Sequence, residues 1–143
     1  MKALGIAIFA LTTLALCCPA IAVDIRIPPG GQWAQFVVDH LDLRNFPSSL
    51  GNRRNEGKIT FADFGIRLRS VSARKALLGT DWDYTISVLS HTREKILICF
   101  TDHAANGGSY DAQKPLALTM TADGHLLGKE VLTPRADCSR FSR

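Results

Sequence analysis

Two neighbouring segments in the second half of the chain alternate apolar and polar side chains. The apolar positions are Trp82, Tyr84, Ile86 and Val88 in the first segment and Ile96, Ile98 and Phe100 in the second. A period of two places successive side chains on opposite faces of a sheet. Residues 82–90 and 95–101 are therefore predicted to be strands that each bury one face.

These two strands are predicted to pair as an antiparallel hairpin. Both apolar sets must lie on the same face, and a slip of one residue would turn one set over. The two residue numbers of each opposed pair must then add up to an even number. Val88 should therefore lie opposite Ile96 or Ile98, and the loop around residues 91–93 should contain an odd number of residues. Cys99 falls on the face opposite to that of Ile98.

A second hairpin is indicated by Asp123-Gly124, a dipeptide typical of two-residue type I′ turns. Such a turn would place Lys129 opposite Leu118 and would turn Leu127 toward the core. In that register the charged end of Lys129 has to reach the edge of the sheet.

The segment before these strands is predicted to hold one helix and one or two further strands. A helical stripe is formed by Trp33, Phe36, Val37 and Leu41. Because Phe36 and Val37 are poor helix formers, a strand over residues 32–44 remains an alternative. With strands added around residues 64–78, the predicted fold class is α+β and β-dominated. We expect an antiparallel meander sheet or a small barrel of about five strands, with one N-terminal helix.

Residues 1–22 are typical of a signal peptide. Lys2 is the only charge, the apolar run over residues 4–16 is too short to span a membrane, and small residues close the segment. We expect cleavage after Ala22. The remaining residues 23–143 then form a single exported domain, periplasmic or secreted, with no membrane span.

Cysteine usage agrees with export. Cleavage would remove two of the four cysteines and leave Cys99 and Cys138 as an even pair. In an oxidising compartment such a pair forms a disulfide. A metal site is the rival interpretation, but the nearest histidines, His103 and His125, do not stand at a metal-binding spacing from either cysteine. No metal is predicted.

Charge excludes one class of partner and indicates one basic surface. Without Lys2 the chain carries 16 basic and 13 acidic side chains, a net charge of +3, which is too mild for nucleic-acid binding. Arg67 and Arg69 should share one face of a strand while Ile66 and Leu68 face the core. This ridge is either a solvated face or a patch for an anion or an acidic partner.

Acid, imidazole, hydroxyl and phenol groups cluster in the stretch FTDHAANGGSYDAQKP, residues 100–115. Nucleophilic catalysis needs a hydroxyl, a base within reach and a group that orients the base. Asp102 and His103 are adjacent, so on an extended chain their side chains point to opposite faces. Ser109 lacks the flanks of a nucleophile elbow. The stretch is therefore a catalytic site, a plain connection, or a recognition loop that presents Tyr110.

A small exported β-rich domain with one disulfide and a Ser/Tyr loop is similar to the periplasmic inhibitors of C-type lysozymes. In those proteins a Ser-containing loop enters the lysozyme cleft. The segment GGSYDAQK, residues 107–114, resembles that loop but lacks its Ser-Gly-x-x-Tyr order. No site residue is therefore transferred from that family.

The sequence predicts a small exported binding protein, not an enzyme, that recognises or inhibits another protein such as a cell-wall hydrolase or toxin. No motif for a phosphate, a dinucleotide or calcium occurs, so no cofactor is expected. The residues predicted to contact the partner are Asp102, His103, Asn106, Ser109, Tyr110, Arg67 and Arg69. One alternative is a small hydrolase that uses His103 with Ser109 or Tyr110. Another is an envelope module that binds an anionic glycan or lipid.

Overall fold

A computed structural model describes residues 23–44, 46, 47, 49 and 57–142 of the chain. A 3-10 turn, Pro29–Gly31, leads into one helix, α1 (Trp33–His40). The strands are β1 (Leu68–Val71), β2 (Lys75–Leu78), β3 (Asp83–His91), β4 (Ile96–His103), β5 (Asp111–Met120), β6 (Leu126–Glu130) and β7 (Phe141–Ser142). The predicted signal peptide, residues 1–22, lies outside the described residues.

All described strand pairs are antiparallel, and β1 to β6 follow one another in chain order across the sheet. The short β7 pairs with the beginning of β5, while β6 pairs with its C-terminal half. The sheet is not closed into a barrel. The predicted α+β, β-dominated class and the meander are therefore confirmed, with seven strands where about five were expected.

The helix forms over the segment where a strand was the alternative. Phe36 and Val37 have weak helix propensity, but Val37 and Trp33 are buried against the sheet, and such packing outweighs propensity. The helix is also tied to the strands, because the Ala34 N–H donates to the Ala73 carbonyl at 3.1 Å. The Trp33 ring stacks on the His91 ring, with centroids 3.9 Å apart.

The core lies between the inner face of the sheet, the helix and the segment that follows the helix. Strand residues that are fully enclosed include Ile86, Ile98, Phe100, Leu116 and Leu118. The segment after the helix adds Phe46, which meets Phe100 edge-on at 4.8 Å, and Phe61, which packs on Tyr84 at 5.9 Å. The described residues of this segment therefore complete the core beside the helix.

The register of the β3–β4 hairpin follows the predicted rule in its main part. Val88 lies opposite Ile98, and Cys99 lies opposite Ser87 on the other face. The prediction of a loop with an odd number of residues was wrong, because the strands remain paired as far as His91 and Ile96. A β-bulge at Leu89, between Val88 and Ser90, takes up the odd residue and leaves a four-residue loop.

The predicted register of the β5–β6 hairpin was wrong by one residue. Leu118 lies opposite Gly128 and Ala117 opposite Lys129. The Lys129 side chain therefore lies on the outer face and does not have to extend to the edge of the sheet to reach water. The connection is a three-residue loop, Ala122–Gly124, in which Gly124 has a φ of 84°. The Thr121 N–H donates to the His125 carbonyl at 2.9 Å, as in a hairpin loop that ends with a left-handed glycine.

This register places Leu126, not Leu127, in the core. The Leu126 side chain is fully buried, whereas Leu127 is 43 % exposed. The ring of Phe46 lies over Gly128, where an added Cβ would come within 2.7 Å of Phe46 Cε2. The absence of a side chain at Gly128 therefore leaves room for the Phe46 ring in the core.

Replacing the two leucines tests the register directly. Leu126→Ala should lower the free energy of unfolding by about 3 kcal/mol, because it removes a buried side chain and leaves a cavity. Leu127→Ala is the matched control and should change it by less than about 0.5 kcal/mol. Urea unfolding followed by circular dichroism measures both. Equal losses for the two variants would contradict the three-residue loop.

The outer face of the sheet carries the disulfide. Cys99 and Cys138 are bonded, with Cα atoms 5.5 Å apart, as predicted. Both cysteines are buried, because the C-terminal tail crosses the outer face before it reaches β7. A disulfide is compatible with a protein that works outside the cytoplasm.

Candidate functional site

The strand register brings the residues singled out in the sequence to one end of the sheet. One row of paired residues crosses five strands and runs through Leu68, Leu78, Tyr84, Asp102 and Ala112. Arg67 and Arg69 flank the first residue of this row, and the loop after β4 follows its fourth. We call this end of the sheet, where β4 ends and β5 begins, the upper end.

The loop Ala105–Ser109 forms the tip of the β4–β5 hairpin at the upper end. The last strand pair before it is His103 with Asp111, and the Ala104 N–H donates to the Tyr110 carbonyl at 2.9 Å. Inside the loop, the Asn106 Oδ1 accepts the Gly108 N–H at 3.2 Å. All five residues of the tip are exposed, so the loop stands out from the sheet with a shape fixed by its own backbone.

Asp102 is buried at the base of this hairpin, with 2 % of its surface exposed. Its carboxylate accepts the Ser49 N–H at 2.8 Å, the Ser49 hydroxyl at 3.1 Å and the Trp82 indole N–H. A buried charge is tolerated where hydrogen bonds replace its water. Asp102 therefore positions Ser49 and Trp82, and its own carboxylate is almost completely shielded from the surface.

Trp82 and Tyr110 form an aromatic pair beside the loop. Their ring centroids lie 5.6 Å apart, and both side chains are half-buried. Burial raises the pKa of the Tyr110 phenol, the Asp102 charge acts in the same direction, and a hydrogen bond with Ser142 opposes them. The phenol therefore stays protonated and keeps its hydroxyl hydrogen well above neutral pH.

A row of ionisable side chains lies on the outer face next to the loop. Arg69 Nη1 lies 2.6 Å from Asp83 Oδ1, and Asp83 pairs with His103 across β3 and β4. His103 is exposed, and its Nδ1 lies 3.6 Å from Asp111 Oδ1. Asp111 had no place among the predicted site residues, although its position directly after the loop made it the natural cross-strand partner of His103.

The geometry does not assemble a nucleophile and a base. Within the described part of the chain, no hydrogen bond joins His103 to the hydroxyl of Ser109 or of Tyr110. Ser109 is exposed at the loop tip, and the charged neighbour of His103 is Asp111. A hydrolytic mechanism requires the base within hydrogen-bond reach of the hydroxyl, so the hydrolase hypothesis gains no support from this arrangement.

The arginine ridge differs in one respect from its prediction. Ile66 packs against the core as expected, but Leu68 is 36 % exposed. The register of β1 against β2 shifts between Leu68 and Ser70, so Arg69 is the extra residue of a bulge. Leu68 still lies opposite the buried Leu78, and therefore on the inner face as predicted. It remains partly exposed because β1 is an edge strand whose four residues are all exposed.

Next to Arg67 lies an open groove with a volume of about 350 Å³, which was not foreseen from the sequence. Its walls are residues 65–67 and 79–82. Gly79 has a φ of 95°, and an added Cβ would lie 1.8 Å from the Trp82 carbonyl oxygen. The Gly79 N–H donates to the Arg67 carbonyl at 2.9 Å. Glycine at this position therefore lets the two walls and Trp82 come together.

Neither a metal site nor a membrane-spanning helix is present among the described residues. Over residues 23–44 and 57–142, with the few described positions between them, no group of three or more His, Cys, Asp or Glu side chains could hold a metal ion. No helix in this part of the chain has the length and apolar character to cross a membrane. Comparison of the chain with protein-family models, curated proteins and solved structures finds no match.

Proposed function

We propose that this protein is a small exported binding protein that recognises or inhibits another protein, such as a cell-wall hydrolase or toxin. Its contact surface is centred on the upper end of the sheet. The observation that carries the proposal is the exposed hairpin tip Ala105–Ser109, which stands out from two central strands and is flanked by the aromatic pair.

The shape of the tip favours insertion into a concave surface. Its residues are small, its backbone is closed by the bond between Ala104 and Tyr110, and the turn inside it is held by Asn106. A loop that is already ordered has less conformational entropy to lose on binding. A partner with a cleft, as many hydrolases have, offers the complementary shape.

The residues around the tip have the composition of a protein-binding hot spot. Trp, Tyr and Arg are the side chains that dominate measured binding energies at interfaces, and the upper end presents Trp82, Tyr110, Arg67 and Arg69. The polar side chains of Asp83, His103 and Asp111 form a rim next to them. Rim charges of this kind set the orientation and the rate of encounter more than the final affinity.

Capture of the partner with matched variants tests the proposal. The mature protein is immobilised, the partner is captured from a periplasmic extract and identified by mass spectrometry, and its affinity is measured by surface plasmon resonance. Tyr110→Ala should weaken binding by about 2 kcal/mol, roughly 30-fold, as the loss of an anchor aromatic does. Ser109→Trp should also abolish tight binding, because a bulky side chain on the tip cannot enter a fitted cleft.

Glu94→Ala is the control, because Glu94 lies in the exposed hairpin at the opposite end of the sheet. This variant should bind as the parent protein does. Thermal unfolding of all three variants shows that they are folded. Full affinity of both Tyr110→Ala and Ser109→Trp for the captured protein would place the contact surface elsewhere and overturn the proposal.

A further inference from the structure

We propose that the groove beside Arg67 binds one sugar ring of an uncharged glycan. The groove lies next to the hairpin tip but shares no residue with it, since its lining comes from residues 65–67, 79–82 and Tyr84. The groove shares Arg67 and Trp82 with the contact surface proposed above, but its lining includes neither Tyr110 nor the tip, so the two proposals can be tested by separate substitutions.

Three polar side chains at the groove are available to a ligand. Arg67, Thr80 and Asp81 are exposed, and among the described residues no ion pair or hydrogen bond engages their side chains. Arg69, two residues from Arg67, is by contrast held by Asp83. The groove thus offers a guanidinium donor, a carboxylate acceptor and a hydroxyl that can do either.

Trp82 supplies an apolar surface whose orientation is already fixed. Its indole N–H donates a hydrogen bond to the buried carboxylate of Asp102, and the absence of a side chain at Gly79 leaves room for the Trp82 backbone. The side chain is half-buried and also contacts Tyr110. A rigid, partly exposed indole gives the C–H face of a sugar ring a large contact area at little entropic cost.

The balance of charges selects a neutral, hydroxyl-rich ligand. An anion attracted by Arg67 would also meet the charge of Asp81, and a cation attracted by Asp81 would meet Arg67. A hydroxyl group can donate to Asp81 and accept from Arg67, so neighbouring hydroxyls of one ring satisfy both. The volume of about 350 Å³ falls in the lower part of the range of small-ligand sites.

Titration of the ¹⁵N-labelled full domain with short glycans tests this assignment. The chain has two tryptophans, so the indole N–H of Trp82 can be followed beside that of the buried Trp33, which serves as an internal control. The probes are chitotriose, maltotriose and cellotriose as neutral glycans, trigalacturonate as an anion and chitosan trimer as a cation. We expect at least one neutral trisaccharide to shift the Trp82 signal in a saturable manner while the Trp33 signal stays in place.

Two substitutions separate the groove from non-specific contact. Asp81→Asn and Arg67→Gln should each weaken binding of the neutral trisaccharide about tenfold, because each variant loses a hydrogen bond between a charged side chain and a sugar hydroxyl. Arg93→Gln, in the exposed hairpin at the other end of the sheet, is the matched control and should leave the affinity unchanged.

Three results would overturn the inference. The first is the absence of a Trp82 shift with all three neutral glycans at about 20 mM, which is roughly twentyfold above a Kd of ~1 mM, or about −4 kcal/mol. The second is tighter binding of either charged trimer, and the third is unchanged affinity in both groove variants. None of them would alter the expected effect of Tyr110→Ala on the protein partner, so the two proposals fail separately.

Discussion

Replacing Cys99 and Cys138 together with alanine should lower the free energy of unfolding by about 4 kcal/mol. The bond closes a loop with a sequence separation of 39 residues, and cross-linking a loop of that length removes roughly this much conformational freedom from the unfolded chain. The melting temperature should fall by on the order of 10 °C or more. Differential scanning calorimetry of the parent and the double variant measures the loss.

Reduction of the parent protein provides the control for this experiment. Dithiothreitol breaks the same bond without changing a side chain, so the reduced parent and the alanine variant should melt close together. A single Cys138→Ala substitution should lower the free energy of unfolding by as much as the double substitution, since either change removes the bond. A double variant that unfolds at the parent's temperature would show that the bond does not restrain the unfolded chain.

Asp102→Ala is the second substitution with a large expected effect, a loss of about 4 kcal/mol. The change leaves the Ser49 N–H and the Trp82 indole N–H without their acceptor, and each buried, unsatisfied donor costs about 1–3 kcal/mol. It also opens a cavity under the aromatic pair. Urea unfolding measures the loss. Tryptophan fluorescence of the folded variant should shift to longer wavelength because the Trp82 ring is released toward water, while Trp33 stays buried.

Asp81→Ala is the matched control for Asp102→Ala. Both carboxylates lie at the upper end of the sheet, but Asp81 is exposed and Asp102 is buried. Substitution at the exposed position should change stability by less than about 0.5 kcal/mol. A loss at Asp102 that is no larger than that at Asp81 would mean that the buried carboxylate does not hold Ser49 and Trp82 in place.

The main features of the sheet follow from local sequence, but the register of the β5–β6 hairpin does not. Alternation of apolar side chains defined β3 and β4, and Val88 pairs with Ile98 as the pattern requires. At the β5–β6 hairpin the neighbouring residues Leu126 and Leu127 are both apolar, so hydropathy cannot tell which one faces the core. The glycine of an Asp-Gly pair fits a two-residue or a three-residue loop, and only packing of Phe46 against Gly128 favours the second.

The candidate site was only half visible in the sequence, for a similar reason. Polar residues after an apolar strand revealed the hairpin tip, because that signal is local. Trp82 alternates as a core strand residue does, so nothing in its neighbourhood showed that its ring is half-exposed and hydrogen-bonded to Asp102. Ser49 lies 53 residues from Asp102, and such a contact comes from the fold of the whole chain.

Behaviour at high concentration follows from the way the edges of the sheet end. A straight, unpaired edge strand can add strands from other molecules and seed aggregation. On the β6 side, the segment after the helix pairs with the first residue of the strand, where the Asp42 N–H donates to the Leu126 carbonyl. On the other side, β1 has four residues and is broken by the bulge at Arg69, so its outward backbone groups do not keep the spacing of a regular strand. The arginine adds a charge at that bulge, and the edge therefore resists the strand pairing that starts a fibril.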